Sequence, residues 1–252
     1  MNILVCIKRV PDIGAKIELT PDQQRIVTKN LGFTISPHEE CAVEEAIQLI
    51  EKYGGSSTVL TLGPSAAQEQ VRDSMARGVE QAILLETDDS EWDPSETAAA
   101  IVETVKSMGQ QPFDLILLGS ESADSADFQV GVRVAHGLDL PCLCSIKDLK
   151  IHNSTLVGKR EVDDGWEVYE TALPAVVTVK EGINLPRYPS LRGTMKAKKK
   201  PVQRNSPQRL GAGLEMHSLK HPPDTGKEVE MLGQGPEAAP KVVEVLKSLE
   251  VI

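Results

Sequence analysis

One stretch of the chain, Phe113 to Gly131, limits the possible folds more than any other and reads FDLILLGSESADSADFQVG. Its apolar run, Leu115 to Leu118, predicts a short strand buried on both faces, as strands are in a parallel sheet. Gly119 ends this run, small and acidic residues follow, and a helix is predicted over 130–138. A strand, a loop and a helix start in this order place backbone N–H groups at the carboxyl end of a sheet, where open α/β sheets bind ligands.

The loop in this stretch has two interpretations. Helix N-termini favour anions, so the loop could hold the phosphate of a nucleotide. It also carries three acidic side chains, Glu121, Asp124 and Asp127, and no Lys or Arg. That composition is equally typical of an ordinary solvated loop, so these residues alone leave both interpretations open.

Strands and helices alternate through the first part of the chain. Besides the central strand, apolar runs predict core strands at 2–7, 57–62 and 81–86. Helices are predicted between them, and the first opens with Ser36 as N-cap and Pro37 at the first helical position. This alternation predicts an α/β fold with a doubly wound, mostly parallel sheet, Rossmann-like, with helices on both faces.

The pattern changes after this alternating region. The turn residues Asp163 to Gly165 separate two alternating runs and predict a small β-hairpin, and 175–179 predicts a short buried strand. After Lys180 prolines recur, and the sequence predicts an extended arm without regular structure until a helix over 240–249. The apolar residues of that helix cover more than a narrow stripe, so we expect it to pack against other surfaces.

Composition excludes several classes of function. The formal net charge is −10 and aromatic residues make up 3% of the chain, which is unlike a nucleic-acid-binding protein. The basic run Lys196 to Lys200 is expected to be a solvated charge cluster. No apolar run approaches the length of a membrane span, and we expect a cytoplasmic protein of a bacterium or archaeon.

The side chains that could carry chemistry do not form a catalytic or metal-binding set. The four cysteines and five histidines show no paired metal spacing, and no nucleophile with a base can be assembled. Cys142 and Cys144 share one face of a predicted strand, and we expect them to be free thiols acting as small buried hydrophobic side chains. The sequence therefore favours a binding or electron-carrying protein, and it leaves open whether the protein is an enzyme.

Several motifs in order along the chain resemble one family. The strand and loop signatures of this family are matched by three stretches of the chain, ILVCIKRVPD from Ile3, SPHEECAVEEAIQL from Ser36 and LGP from Leu62. Its most diagnostic pattern fits GKREVDDGWEVYETALPAVVTV from Gly158, and its partner-recognition loop fits PRYPSLRGTMKAKKK from Pro186. With these motifs, the chain resembles the beta subunit of electron transfer flavoprotein over its full length.

The resemblance implies a heterodimer with an alpha subunit that holds most of an FAD. Such a heterodimer takes electrons from acyl-CoA-type dehydrogenases, as in fatty acid oxidation, and passes them to a membrane quinone oxidoreductase. The beta subunit typically holds a structural AMP in a nucleotide-binding α/β domain, predicted here at 1–183. Residues 184–252 would be the partner-recognition loop and the extended C-terminal arm, and Leu191 aligns with an apolar anchor for the dehydrogenase partner.

The AMP site that the resemblance implies gathers residues from strand ends and helix starts. They are Cys6, Ser36, Pro37, His38, Glu39, Leu62, Gly119, Ser120, Glu121, Ser122, Ala123, Asp124, Ser125, Ala126, Asp127, Phe128, Gln129 and Val130.

The end of the central loop departs from family members with AMP. It reads Phe-Gln-Val-Gly over 128–131, closer to electron-bifurcating relatives that hold a second FAD in place of AMP and oxidise NADH. AMP is favoured here because the bulky Phe128 argues against a larger cofactor. A third hypothesis, an adenine-nucleotide-binding module without a redox role, is disfavoured by the long arm, which a self-contained module does not need.

Overall fold

The structure is a computed structural model that describes residues 1–88, 90–110, 112–211, 213–223, 226 and 229–252. Its strands are β1 (Asn2–Ile7), β2 (Val10–Pro11), β3 (Phe33–Thr34), β4 (Ser56–Gly63), β5 (Gln81–Glu86), β6 (Leu115–Gly119), β7 (Cys142–His152), β8 (Thr155–Val162), β9 (Gly165–Ala172), β10 (Ala175–Val179) and β11 (Gln203–Asn205). Its α-helices are α1 (Pro37–Tyr53), α2 (Gln68–Arg77), α3 (Pro94–Ser107), α4 (Val130–Leu138), α5 (Leu191–Ala197) and α6 (Ala239–Ser248).

The main sheet of the described residues has nine strands in the order β11-β5-β4-β1-β6-β10-β7-β8-β9. The strands from β11 to β7 pair in parallel, and β8 and β9 continue the sheet in antiparallel pairing. This arrangement confirms the predicted doubly wound, mostly parallel α/β fold with a hairpin after it. After the hairpin the chain returns to the centre, since β10 lies between β6 and β7.

The two faces of the sheet carry separate hydrophobic cores. Along β1, Ile3 and Val5 belong to one core, while Leu4 and Cys6 belong to the other, as the two-residue period of a strand requires. The first core packs against α1 and α2, and the second packs against α3 and α4. The central strands are covered on both faces, which explains why their sequences are continuous apolar runs.

The arm after Lys180 is more regular than its sequence predicts. Helix α5 begins after Ser190, whose side chain accepts a hydrogen bond from the backbone N–H of Gly193 at 3.0 Å, and this helix packs on α2. Strand β11 pairs in parallel with β5 at the edge of the sheet. Both elements depend on contacts with the core that the local sequence of the arm does not reveal.

Other parts of the chain also differ from their predictions. The turn residues Pro21 and Asp22, between the short runs 16–19 and 25–28, predict a small hairpin, but the structure has one isolated bridge there, between Leu19 and Ile26. The predicted C-terminal helix forms as α6, but none of its residues is buried, so the expected packing does not occur within this chain. Among the described residues, no helix has both the length and the hydropathy to cross a membrane, and no group of three or more His, Cys, Asp or Glu could hold a metal ion.

Candidate nucleotide site at the ends of the central strands

The strand order along the chain reverses at β1, and in open α/β sheets such a switch point leaves a crevice at the carboxyl edge. The chain passes from β1 through α1 to β4 on one side, and β6 later joins β1 on the other side. Cys6, near the end of β1, lies opposite Leu60 of β4 and Leu118 of β6. Ligands of open α/β sheets bind at such a switch point. The residues predicted for the nucleotide site, at strand ends and helix starts, lie around this switch point. Leu191 lies elsewhere, at the beginning of α5, which packs on α2.

The start of α1 connects β1 to the central loop. Glu39 in the first turn accepts hydrogen bonds from two backbone N–H groups, that of Ser36 at Oε2 (3.0 Å) and that of Lys8 at Oε1 (2.8 Å). The Oγ of Ser36 accepts a hydrogen bond from the N–H of Ala123 in the central loop at 2.8 Å. Pro37 occupies the first helical position, where a missing N–H costs nothing. This helix start therefore holds both the end of β1 and the loop in place.

Burial shifts two ionisable groups beneath the crevice. Desolvation, assisted by the charge of Asp124, raises the pKa of Glu39 to about 8, although the N–H donors of Ser36 and Lys8 oppose this shift. Desolvation and the nearby Glu39 carboxyl raise the pKa of Cys6 to about 12. Cys6 is therefore a neutral, buried thiol near the end of β1, and it is not a nucleophile.

Lys8 supplies a positive charge that the sequence analysis missed. Its Nζ lies 2.5 Å from Oε1 of Glu91 and 2.7 Å from Oδ2 of Asp124. Burial lowers the pKa of Lys8, but the two carboxylates more than offset this and raise it above its ordinary value. The other oxygen of Asp124 accepts a hydrogen bond from the N–H of Ser125 at 2.9 Å. Asp124 is thus turned toward Lys8 and its own loop, which accounts for part of the loop's acidic composition.

His38 links α1 to the central loop and to the beginning of the arm. Its Nδ1 accepts a hydrogen bond from the backbone N–H of Glu181 at 2.7 Å. Because Nδ1 is an acceptor, the ring proton lies on Nε2, which donates to Oε1 of Glu121 at 3.2 Å. His38 therefore acts as a positioning group between three segments of the chain.

Close backbone approaches fix both ends of the central loop. A Cβ added at Gly119 would lie 2.8 Å from Cγ of Glu39, and one added at Gly131 would overlap Cγ2 of Thr178. The backbone N–H and the Oγ of Ser120 both donate to the carbonyl of Val179, at 2.9 and 3.0 Å. Larger residues at the two glycines would push the loop away from α1 and β10.

The N-terminus of α4 lacks a side-chain cap. Gln129 occupies the N-cap position without a hydrogen bond to the helix start, and its Oε1 instead accepts from Nε and Nη2 of Arg133 at 3.1 and 2.8 Å. Just before it, Ala126 and Phe128 adopt left-handed φ angles of 50° and 57°. Among the residues that the structure describes, no side chain accepts a hydrogen bond from the first N–H groups of α4, beginning with that of Val130, so these groups suit an anion.

The other predicted residues line the crevice or its rim. Leu62 at the end of β4 is half-buried and packs on the α3 and α4 side of the sheet. Ser122 and Ser125 lie 2.9 Å apart at their Oγ atoms, and Asp127 is exposed. Phe128 is 55% exposed, so its ring does not fill the crevice.

Comparison with known proteins assigns the chain to a family. A family model described as "Electron transfer flavoprotein domain" matches residues 25–209, a range that includes the start of α1 and the central loop. The chain belongs to the electron transfer flavoprotein family, as a beta subunit.

Curated relatives of this beta subunit share most of its length. Electron transfer flavoprotein subunit beta of Bacillus subtilis (strain 168) is 39% identical over 203 residues, which cover 81% of this chain and 78% of the relative. The subunit beta of Syntrophomonas wolfei subsp. wolfei is 34% identical over 249 residues, covering 98% and 96% of the two chains. Caffeyl-CoA reductase-Etf complex subunit CarD of Acetobacterium woodii is 31% identical over 228 residues, covering 88% and 85%.

Proposed function

We propose that this beta subunit pairs with an alpha subunit and holds a structural AMP in the crevice at the ends of β1, β4 and β6. The heterodimer carries electrons from acyl-CoA-type dehydrogenases to a membrane quinone oxidoreductase. FAD, held mainly by the alpha subunit, supplies the one- and two-electron chemistry when bound. The observation that carries the nucleotide proposal is the meeting, at the switch point of the sheet, of a helix start without a side-chain cap, a loop held by hydrogen bonds and the half-buried Lys8.

The residues of the crevice fit an adenine nucleotide. The backbone N–H groups of the loop from Gly119 to Val130 and the start of α4 would hold the phosphate, because they need no charged side chain. Cys6 and Leu62 offer apolar surface for the base. Lys8, which also binds Glu91, offsets part of the negative charge with which Asp124 would repel a phosphate.

The same proposal assigns different roles to two parts of the chain. Residues 1–183 form the nucleotide-binding domain, and residues 184–252 form the partner-recognition loop and arm. The loop exposes Leu185, Tyr188, Leu191 and Met195, all large apolar side chains. Exposed apolar clusters of this kind are typical of protein-binding surfaces.

An electron-bifurcating role with a second FAD is the alternative candidate. The sequence Gln129-Val130-Gly131 and the similarity to CarD favour it. The argument against it from the bulk of Phe128 loses its force, since that ring lies largely in solvent. The membership in the flavoprotein family favours both redox candidates over a binding module without electron transfer.

Extraction of the nucleotides from the purified heterodimer separates the two candidates. We expect one FAD and one AMP for each heterodimer, identified by mass. Two FAD molecules and no AMP would establish the bifurcating alternative, and a heterodimer without any nucleotide besides one FAD would contradict both site assignments.

A pair of glycine variants in α4 tests the location of the site. In Gly131→Ala, the new Cβ meets Thr178 and displaces the helix start, so we expect the heterodimer to lose most of its non-flavin nucleotide. In Gly137→Ala, the new Cβ would lie 2.8 Å from Cγ2 of Val102 in α3, away from the loop. This control should lower stability by about 1–3 kcal/mol through overpacking but keep the nucleotide. Equal nucleotide content in both variants would place the nucleotide elsewhere.

Leu191 provides the test of the dehydrogenase-binding proposal. Leu191→Ala removes an exposed side chain of the kind that forms a small hot spot, so we expect about tenfold slower electron transfer at limiting dehydrogenase, without loss of flavin. Leu214→Ala is the matched control, because both leucines are 81% exposed and lie in the arm. An unchanged rate for Leu191→Ala would refute the role of Leu191.

A further inference from the structure

Two cysteines at the start of β7 form a contact that the nucleotide site does not use. The Sγ atoms of Cys142 and Cys144 lie 3.6 Å apart, and all four cysteines of the chain are free. Cys6 and Cys41 are buried, as expected for small hydrophobic side chains, but Cys142 and Cys144 are only half-buried. The pair therefore combines proximity with access from solvent.

A backbone irregularity follows directly after the two thiols on β7. Alternate residues of a strand share one face, so Cys142 and Cys144 start on the same side of β7. The register between β10 and β7 then shifts at Val177 to Val179, and Ser145 adopts a left-handed φ of 59°. The backbone N–H of Ser145 donates to Oγ1 of Thr178 at 2.9 Å, which fastens this bulge to the neighbouring strand.

The surroundings of Cys144 favour its thiolate. The contact with Cys142, the Thr178 hydroxyl and the Arg160 guanidinium together lower the pKa of Cys144 to about 6, although burial opposes this shift. The same interaction, together with burial, raises the pKa of Cys142 above its ordinary value. One thiol is thus prepared as a nucleophile, while its neighbour keeps its proton, an arrangement typical of reactive cysteines.

We propose that Cys142 and Cys144 form a peroxide-reactive dithiol site that closes to an intramolecular disulfide. The Cys144 thiolate attacks one oxygen of hydrogen peroxide, the O–O bond breaks, and the leaving hydroxide takes a proton to become water. The resulting sulfenic acid is attacked by the Cys142 sulfur, the S–S bond forms, and the S–O bond breaks. The hydroxide released in this second step takes the Cys142 proton, so two thiols and one peroxide give one disulfide and two waters.

Treatment of the intact heterodimer with hydrogen peroxide tests the site. We expect the tryptic peptide 134–147, which contains both cysteines, to lose two hydrogen atoms and two alkylatable thiols, and dithiothreitol to restore them. Cys6 and Cys41 should remain alkylatable after unfolding. Oxidation of those two cysteines in preference to the pair, or no disulfide within the peptide, would overturn the proposal.

Cysteine variants separate the two roles within the pair. In Cys142→Ser the disulfide cannot form, so we expect a sulfenic acid at Cys144 that dimedone traps. In Cys144→Ser, Cys142 should show no such product, because it lacks a prepared thiolate. Cys41→Ser is the matched control and should form the disulfide normally. Dimedone labelling of Cys142 in the Cys144→Ser variant, at the rate found for Cys144, would contradict the assigned nucleophile.

Thr178 is a positioning residue of this site, and the pH dependence of Cys144 alkylation tests its role. Thr178→Val keeps the shape of the side chain and removes the hydroxyl. We expect the pH profile of Cys144 alkylation to move upward by about one unit, which slows the reaction about tenfold well below pH 6 and about twofold at pH 7. Thr178→Ser retains the hydroxyl and should restore the original profile. Identical profiles for the two variants would show that the hydroxyl does not act on Cys144.

Discussion

The sheet core and the C-terminal arm of this beta subunit are held in place in different ways. In the core, β1, β6 and β10 bury almost all of their residues. Among the described residues after 183, Ala197 is the single apolar side chain that is buried. The arm leaves large apolar side chains exposed, both near Leu191 and on α6.

Charged pairs hold the first half of the arm on the core. Nε and Nη2 of Arg187 bind the carboxylate of Glu44 at 2.9 to 3.2 Å, and its guanidinium also binds Glu51. Farther along, Nε of Arg209 donates to Glu96 at 2.8 Å. These pairs position the arm without covering its apolar side chains. The core buries its apolar side chains within one chain, whereas the arm leaves its own exposed. We therefore infer that the arm requires the surface of a second chain.

The largest expected effect separates the two regions directly. Leu117→Ala removes a fully buried side chain of β6 and should lower the free energy of unfolding by about 2–5 kcal/mol. Val243→Ala on α6, where the side chain is 41% exposed, should change it by less than about 0.5 kcal/mol. Chemical denaturation of the single chain measures both. A large loss for Val243→Ala would show that α6 packs on its own core, and the comparison would fail.

A pH titration of stability sharpens the description of the core. Burial raises the folded pKa of Glu39 to about 8 from an ordinary value of 4.5, so the folded chain retains a proton that the unfolded chain releases between these values. The free energy of unfolding should therefore fall as pH rises from about 4.5 to about 8, by up to ~1.4 kcal/mol for each pH unit.

Two matched variants assign this pH dependence. Glu39→Gln lacks the titrating carboxyl and should remove its contribution to the slope in denaturation curves recorded across that range. Glu237→Gln, at an exposed position of the arm, should keep the slope of the unsubstituted chain. If both variants retain the same slope, the buried carboxyl is not its source.

The smallest expected effects compare two arginines of the arm. The Arg187 partner, Glu44, is buried, so Arg187→Gln leaves a buried carboxylate poorly paired and should cost about 1–3 kcal/mol. The Arg204 partner, Glu86, is partly exposed, and Arg204→Gln should cost less than about 1 kcal/mol. Limited proteolysis of the arm and denaturation midpoints report both variants. A larger cost at Arg204 would mean that the edge of the sheet, and not α1, holds the arm.

Local signals made the centre of the fold and of the candidate site predictable. The apolar run Leu115 to Leu118 is typical of a strand that is covered on both faces. Ser36 with Pro37 indicates a helix start, and this local signal does not depend on the packing of the helix. The contact of Lys8 with Asp124 could not be predicted in this way, because it joins segments that only the sheet order brings together. The signal available in the sequence was the position of Lys8, directly after β1, the strand that ends at the switch point.

The arm was harder to predict for a related reason. Gln203–Asn205 is short and polar, and it becomes β11 because β5 offers an open edge, which is a property of the sheet. The left-handed backbone of Ser145, next to Cys144, likewise has no glycine in the sequence to indicate it, and its N–H is held by Thr178 of β10. In both cases the deciding interaction comes from a neighbouring strand.

The position of β11 has a consequence for synthesis of the chain. β11 is the last strand of the sheet along the chain, yet it pairs with β5 at the edge of the sheet opposite the hairpin. Until residue 205 has left the ribosome, the nascent sheet presents β5 as an unpaired edge, the kind of surface on which strands of other chains assemble. We therefore expect the arm, once it pairs with β5, to limit aggregation of the newly made domain before a partner subunit binds.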